Sequence, residues 1–179
     1  MYQVGEYVVK INKGICRVED ITHLDMPSVD KNKLYYLLVP KDEEKTKLYV
    51  PVESEHTGIR KVMSSEQAWE VIKMIPEIES AWISDDKQRE QRYKAALKSS
   101  EPEQLVSIIK NIYLRKKKRD ALGKKNTATD ERYFKLAEDT LYSELAFALG
   151  KDKKEMKTLI AETIEKKQYN TSPVGNYLD

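Results

Sequence analysis

Few side chains in this 179-residue chain stand where they could make or break a covalent bond. His23 and His56 lie far apart, and neither has a second His or a Cys at ligand spacing, so neither predicts a metal site. Cys16 is the single cysteine, which excludes an intramolecular disulfide and a Cys-rich zinc centre. It shares a face with Val18 in GICRVEDI and reads as a small buried hydrophobe. Ser64 and Ser65 read as helix caps and lack the GxSxG setting of a nucleophile. Asp and Glu abound, yet none falls in an apolar stretch that would raise its pKa for acid–base work. These residues predict no enzyme, no cofactor and no metal.

What remains is electrostatic. A net charge of +2 says little until it is divided along the chain. Residues 1–62 hold 10 basic and 10 acidic residues, whereas Lys110 to Lys125 alone hold eight basic residues against Asp120. Charge this local is how an anionic partner would be met. The plainer reading of Arg115–Arg119 is a solvated helix end, where the dipole favours cations and three adjacent lysines cannot all face one backbone.

These residues must be positioned by two dissimilar halves. Short Val-, Ile-, Tyr- and Leu-rich segments predict strands at Glu6–Lys10, Gly14–Ile21, Lys33–Val39, Thr46–Val52 and Gly58–Val62, bounded by turn residues such as Asn12-Lys13-Gly14. So many strands in so short a stretch fit a small bent barrel of SH3 or Tudor type. From Ser64 the apolar spacing turns helical. Ser64 and Gln67 have capping-box spacing before a stripe of Ala68, Trp69, Ile72 and Ile75, with Trp69 read as core. A second helix starts near Asp85-Asp86 and a third at Ser100-Glu101-Pro102, its stripe Leu105, Ile108, Ile109, Ile112 and Tyr113. A fourth runs from Thr129 to Gly150, and a fifth begins near Lys151. The expected architecture is α+β: a barrel over 1–62, a bundle of about five helices over 63–167, and a disordered tail over 168–179.

Two stretches together resemble a known family. VGEYVVKINKGICRVEDI, LYYLLVP, KLYVPVE and TGIRKV are similar to the RNA-polymerase interaction domain shared by CarD/CdnL regulators and the transcription-repair coupling factor. RYKAALKS and ERYFKLAEDTLYSELAFALG are similar to the CarD/CdnL helical domain. The resemblance spans roughly residues 1–150 and implies a bacterial regulator that docks on the polymerase β subunit and stabilises the open promoter complex. It places Lys47, Tyr49, Val50 and Pro51 at the polymerase, with Tyr49 standing where some members carry Arg. It places promoter DNA, at the upstream edge of the bubble, against the helical half. Arg92 and Lys94 flank Tyr93 in the RYK motif, and Arg132 falls at a basic position of the family. Some members carry a minor-groove Trp wedge four residues before that Tyr; here Arg89 stands there, and Trp82 lies seven residues earlier still. Trp82 thus has two readings, a hydrophobic staple on the helix it precedes or a displaced wedge. Arg89, Arg92 and Lys94 make the second helix the expected phosphate-contacting surface.

Two other classes stay open at this stage: a protein–protein adaptor on polymerase without DNA binding, and an RNA-binding module using Tyr35, Tyr36 and Tyr49. With neither a signal sequence nor an apolar run of membrane length, the expected place is the cytoplasm. Edge strands in small barrels leave monomer and swapped dimer equally open.

Overall fold

The computed structural model describes residues 1–27, 29–53, 58–79, 83 and 85–171, with side chains through Thr163. The chain divides between Val62 and Met63 into two compact units.

The first unit is one antiparallel sheet. Its strands are β1 (Tyr7–Lys10), β2 (Gly14–His23), β3 (Leu34–Pro40), β4 (Leu48–Pro51) and β5 (Ile59–Lys61), in the order β4-β3-β2-β1-β5. The turn between β1 and β2 needs positive φ at Asn12 and Gly14, which these two residue types tolerate best. Val8, Cys16, Val18, Tyr36, Leu38 and Val50 form the core on one face, in cross-strand rows. Val8 opposes Cys16, Val18 opposes Leu38 and then Leu48, and Ile21 opposes Tyr36 and then Val50. Val18 and Ile21 are three apart yet share this face, because the β2–β3 register shifts between Val18 and Asp20. Cys16 is fully buried, and burial pushes its thiol up to about 11, so it is a core atom and not a nucleophile. The small Tudor-like sheet followed by helices bears out the α+β class. Among the described residues its edges, β4 and β5, are not joined by a ladder.

The second unit contains α1 (Ser65–Met74), α2 (Asp86–Ser99), α3 (Pro102–Ala121), α4 (Ala128–Leu149) and α5 (Lys153–Thr171). The capping box at Ser64 and Gln67 forms as expected, with both reciprocal hydrogen bonds. α5 continues past Lys167 to Thr171, so the expected tail is helical at its start, and the rest of it, 172–179, lies outside the described residues. α4 is the centre of the bundle and packs on α1, α3 and α5. It offers Tyr133, Ala137, Leu141 and Leu145 at helical spacing, and all four are buried. Glu144, also buried on α4, accepts a hydrogen bond from the Met63 amide at 3.1 Å and fixes where the chain enters the bundle. Two expected core aromatics are less covered: Trp69 is half-buried, and Tyr113 is exposed with the Lys117 ammonium 5.0 Å from its ring centre.

α2 is held differently. Its buried residues are only Arg89, Tyr93 and Ala96. Tyr93 donates to Asn111 Oδ1 on α3 (3.2 Å) and lies 3.3 Å from Asp130 Oδ1 on α4. Arg115 Nε donates to Asp130 Oδ2 at 2.9 Å, and Arg89 Nε lies 3.8 Å from Oδ1. Asp130 is 1% exposed, so one buried carboxylate joins α2, α3 and α4. Burial and then the Asp130 charge push the Tyr93 hydroxyl well above its ordinary pKa, which keeps it a donor. Asp130→Ala leaves the largely buried Arg115 guanidinium without its close carboxylate and should cost the helical unit about 3–5 kcal/mol. Urea unfolding followed by helical circular dichroism reads that loss, and Asp130→Asn should cost less.

Candidate functional site

β4 carries the first set of candidate residues. Alternation sends Val50 inward, where it is 6% exposed, so its side chain belongs to the core and not to a partner-facing surface. Tyr49 is 43% exposed, Lys47 just before the strand is exposed, and Pro51 is half-buried. Tyr49 opposes Leu37 and Pro51 opposes Tyr35 across the ladder, so these four share the outer face. Tyr36 instead lies in the core, where its hydroxyl accepts the Tyr2 amide at 2.9 Å, and it offers no stacking surface. The Val52 amide donates to the Leu34 carbonyl at 2.9 Å. By the antiparallel pattern, the amides facing β3 are those of Val52, Val50 and Leu48, and the backbone of Pro51 and Tyr49 faces the open edge. Pro51 has no amide to donate, so its place on that side costs the ladder nothing.

The second set lies around α2. Arg89, expected to contact phosphate, has a side chain that is 7% exposed and committed elsewhere. It pairs with Asp86, lies beside Asp130, and donates through Nη1 to the Ile83 carbonyl at 3.2 Å. It is a cation of the bundle interior. Arg92 and Lys94 are both exposed, but about 200° apart on the helix, because they flank the inward-pointing Tyr93. Arg92 lines a cleft of about 360 Å³ between α2 and α3, with Gln104 and Ile108 in its walls. Lys94 turns the other way, toward α4.

There Glu90 collects cations. Lys94 Nζ lies 3.1 Å from Glu90 Oε1, Arg132 Nη2 lies 3.5 Å away, and the Tyr133 hydroxyl donates to the same oxygen at 3.1 Å. The Arg132 guanidinium also lies over the Tyr133 ring, 4.7 Å from its centre. The hydrogen bond from Lys94, then that from Tyr133, hold the Glu90 carboxyl below its ordinary range, so it is charged at neutral pH. The structure thus brings Lys94 and Arg132 together, sets Arg92 on the opposite flank and withdraws Arg89.

Of the basic run, Arg115 turns inward to Asp130, and Arg119 donates to the Lys125 carbonyl at 2.9 Å. Lys116, Lys117 and Lys118 are exposed at the helix end, in keeping with the plainer reading. His23 ends β2 and donates from Nδ1 to the Lys33 carbonyl at 3.1 Å. Trp82 and His56 lie outside the described residues. Among the described residues no group of three or more His, Cys, Asp or Glu could hold a metal ion, and no helix is long and apolar enough to cross a membrane.

A small sheet with an open edge strand, followed by a bundle with an exposed cationic flank, defines a two-module binding protein. The description "CarD-like/TRCF RID domain" matches residues 2–63, and "CarD, C-terminal domain" matches residues 70–161. The chain belongs to the CarD family. That family's pairing of domains is that of RNA polymerase-interacting transcription factors. No curated protein gave a match.

Sequence reasoning missed Asp130, Asn111 and Glu90. Asp130 carries the signature of a first-turn acid, and Glu90 that of an ordinary surface partner to Lys94. Their roles depend on which helix lies opposite. Glu90→Gln frees Lys94 and Arg132 and keeps an acceptor for Tyr133. On the DNA-contacting role proposed below, it should tighten binding to duplex DNA about fivefold at low salt and steepen the salt dependence by about one phosphate contact. Fluorescence-anisotropy titrations at several salt concentrations check this.

Proposed function

We propose that this protein docks on the RNA polymerase β subunit through β4 and stabilises the open promoter complex by contacting promoter DNA with its helical unit. What supports this most is the match of both CarD descriptions, in order, one on each compact unit. The β4 edge suits strand addition, because its outward backbone supplies the binding groups whatever the side chains. Lys47, Tyr49 and Pro51 frame that edge, and Val50 ties the strand to the core behind it. Lys94 and Arg132 meet DNA phosphates on one flank of α2 and Arg92 on the other. Trp82, in the connection before α2, is the unstacking wedge at the upstream edge of the bubble. No bond is made or broken. Binding the open complex better than the closed one shifts their equilibrium, by as much as the two affinities differ. The cytoplasm, where bacterial polymerase works, is its place of action.

The half-life of a preformed open complex under heparin challenge tests this. The wild-type protein should lengthen it, Trp82→Ala should remove most of the effect, and Lys94→Ala with Arg132→Ala should weaken it most at low salt and make it depend less steeply on salt. A protein that binds polymerase yet leaves the half-life unchanged would be an adaptor without a DNA role.

A further inference from the structure

Two helix faces meet with a gap between them. On α2, Arg92, Ala95 and Ala96 stand at i, i+3 and i+4, and on α3, Gln104, Ile108 and Asn111 recur at the same kind of spacing. These residues line the cleft of about 360 Å³. The gap follows from side-chain size, because Ala95 and Ala96 are small where a Leu on α2 would fill the space beside Ile108. The polar groups along its floor are already paired. The Tyr93 hydroxyl donates to Asn111 Oδ1 at 3.2 Å, and the Ser107 hydroxyl donates to the Glu79 carbonyl at 2.8 Å. With those bonds made, Ala96, Ile108 and the Tyr93 ring leave the floor apolar. The rim differs. Arg92 and Gln104 are exposed there, and Arg92 has neither hydrogen bond nor ion pair among the described residues, whereas Arg89 and Lys94 are both paired.

An apolar floor with an unpaired guanidinium at its rim fits a ligand that has a flat apolar body and an anionic group. The volume lies at the small end of the range for ligand pockets, about 300–1,000 Å³, and admits one ring system with its sugar. We propose that this cleft takes a single unstacked nucleotide, its base against Ile108 and Ala96 and its phosphate on Arg92. The Gln104 amide, which carries both donor and acceptor groups, stands at the same rim. A floor without free donors or acceptors gives little preference among bases. Such a nucleotide comes from a melted strand or as a free nucleoside phosphate, and the recognition chemistry is the same. The first source rests on the reading that the helical unit meets the open promoter, where a base already unpaired costs least to take up.

Ala95→Leu tests this, because it fills the cleft, keeps the charge and suits an exposed helix position. The full-length protein is titrated into a fluorescein-labelled thymidine hexanucleotide and, separately, into a labelled duplex, with anisotropy as the readout. Ala95→Leu should weaken the single strand about tenfold, the order of one lost base contact, and change duplex binding by less than about twofold. Ala95→Met, a more flexible filler, carries the same comparison where Ala95→Leu fails to fold. Thymidine monophosphate should displace the hexanucleotide at concentrations where inorganic phosphate does not. Equal displacement by both would reduce the cleft to a phosphate contact and overturn the proposal. A hexanucleotide bound more tightly than the monophosphate makes a melted strand the source, and equal affinities make it a free nucleotide. Unchanged single-strand affinity in Ala95→Leu would overturn the proposal and leave the duplex contacts standing. Monophosphate binding that is lost in Ala95→Leu, in a protein that binds no duplex, would keep the cleft and sink the promoter reading instead.

Discussion

The orientation of α2 depends on one buried carboxylate. α2 has almost no apolar stripe, because its inward side is Arg89, Tyr93 and Ala96. Tyr93 is its one large buried hydrophobic side chain, packed on the Tyr133 ring, and polar contacts to Asp130 and Asn111 fix the helix's rotation. Asp130 lies in the first turn of α4, where unsatisfied amides favour an anion, and it faces two guanidiniums. Buried ion pairs contribute little net stability against an apolar alternative. Their value here is geometric: rotating α2 by one residue, about 100°, would break every contact at once. The outward directions of Arg92, Lys94 and Glu90 follow from that register.

The cationic surface this produces is modest. Glu90 already partners Lys94 and Arg132, and Arg92 stands apart from both. Isolated contacts of this kind bind duplex DNA weakly and without sequence preference. In the proposed mechanism weakness is an advantage. Docking by the sheet raises the local concentration of the helical unit into the millimolar range, and a weak contact then suffices. A tighter DNA site would be drawn off by the excess of non-promoter duplex. The sheet meets the complementary need, since Val50 and the rest of its core lock the strand whose outer edge is offered to a partner.

Much of this was legible in the residues. Turn chemistry and alternation located all the strands to within a residue or two, and the Ser64 capping box and the Pro102 start are local signals that formed as read. The β2 bulge was not legible, because Val18 and Ile21 fit neither period until Tyr36 and Leu38 are known to lie opposite. Val50 shows the two signals side by side: family likeness places its strand at the polymerase, and alternation turns its side chain inward. Arg89 and Asp130 are far apart in sequence and each looks like a surface charge. Nothing local reveals that they share a buried site. Lys110 was counted in a basic run, yet its three donors serve carbonyls of the chain after α1.

The central claim is that the sheet delivers the helical unit to DNA. The most direct test is the open-complex half-life measured with Tyr49→Pro, which removes one outward amide of β4 and leaves the groups facing β3 in place. The account predicts unchanged affinity for free duplex DNA and no lengthening of the half-life at a concentration where the wild-type protein saturates. A Tyr49→Pro protein that stabilises the open complex as fully as wild type, at that same concentration, would contradict it.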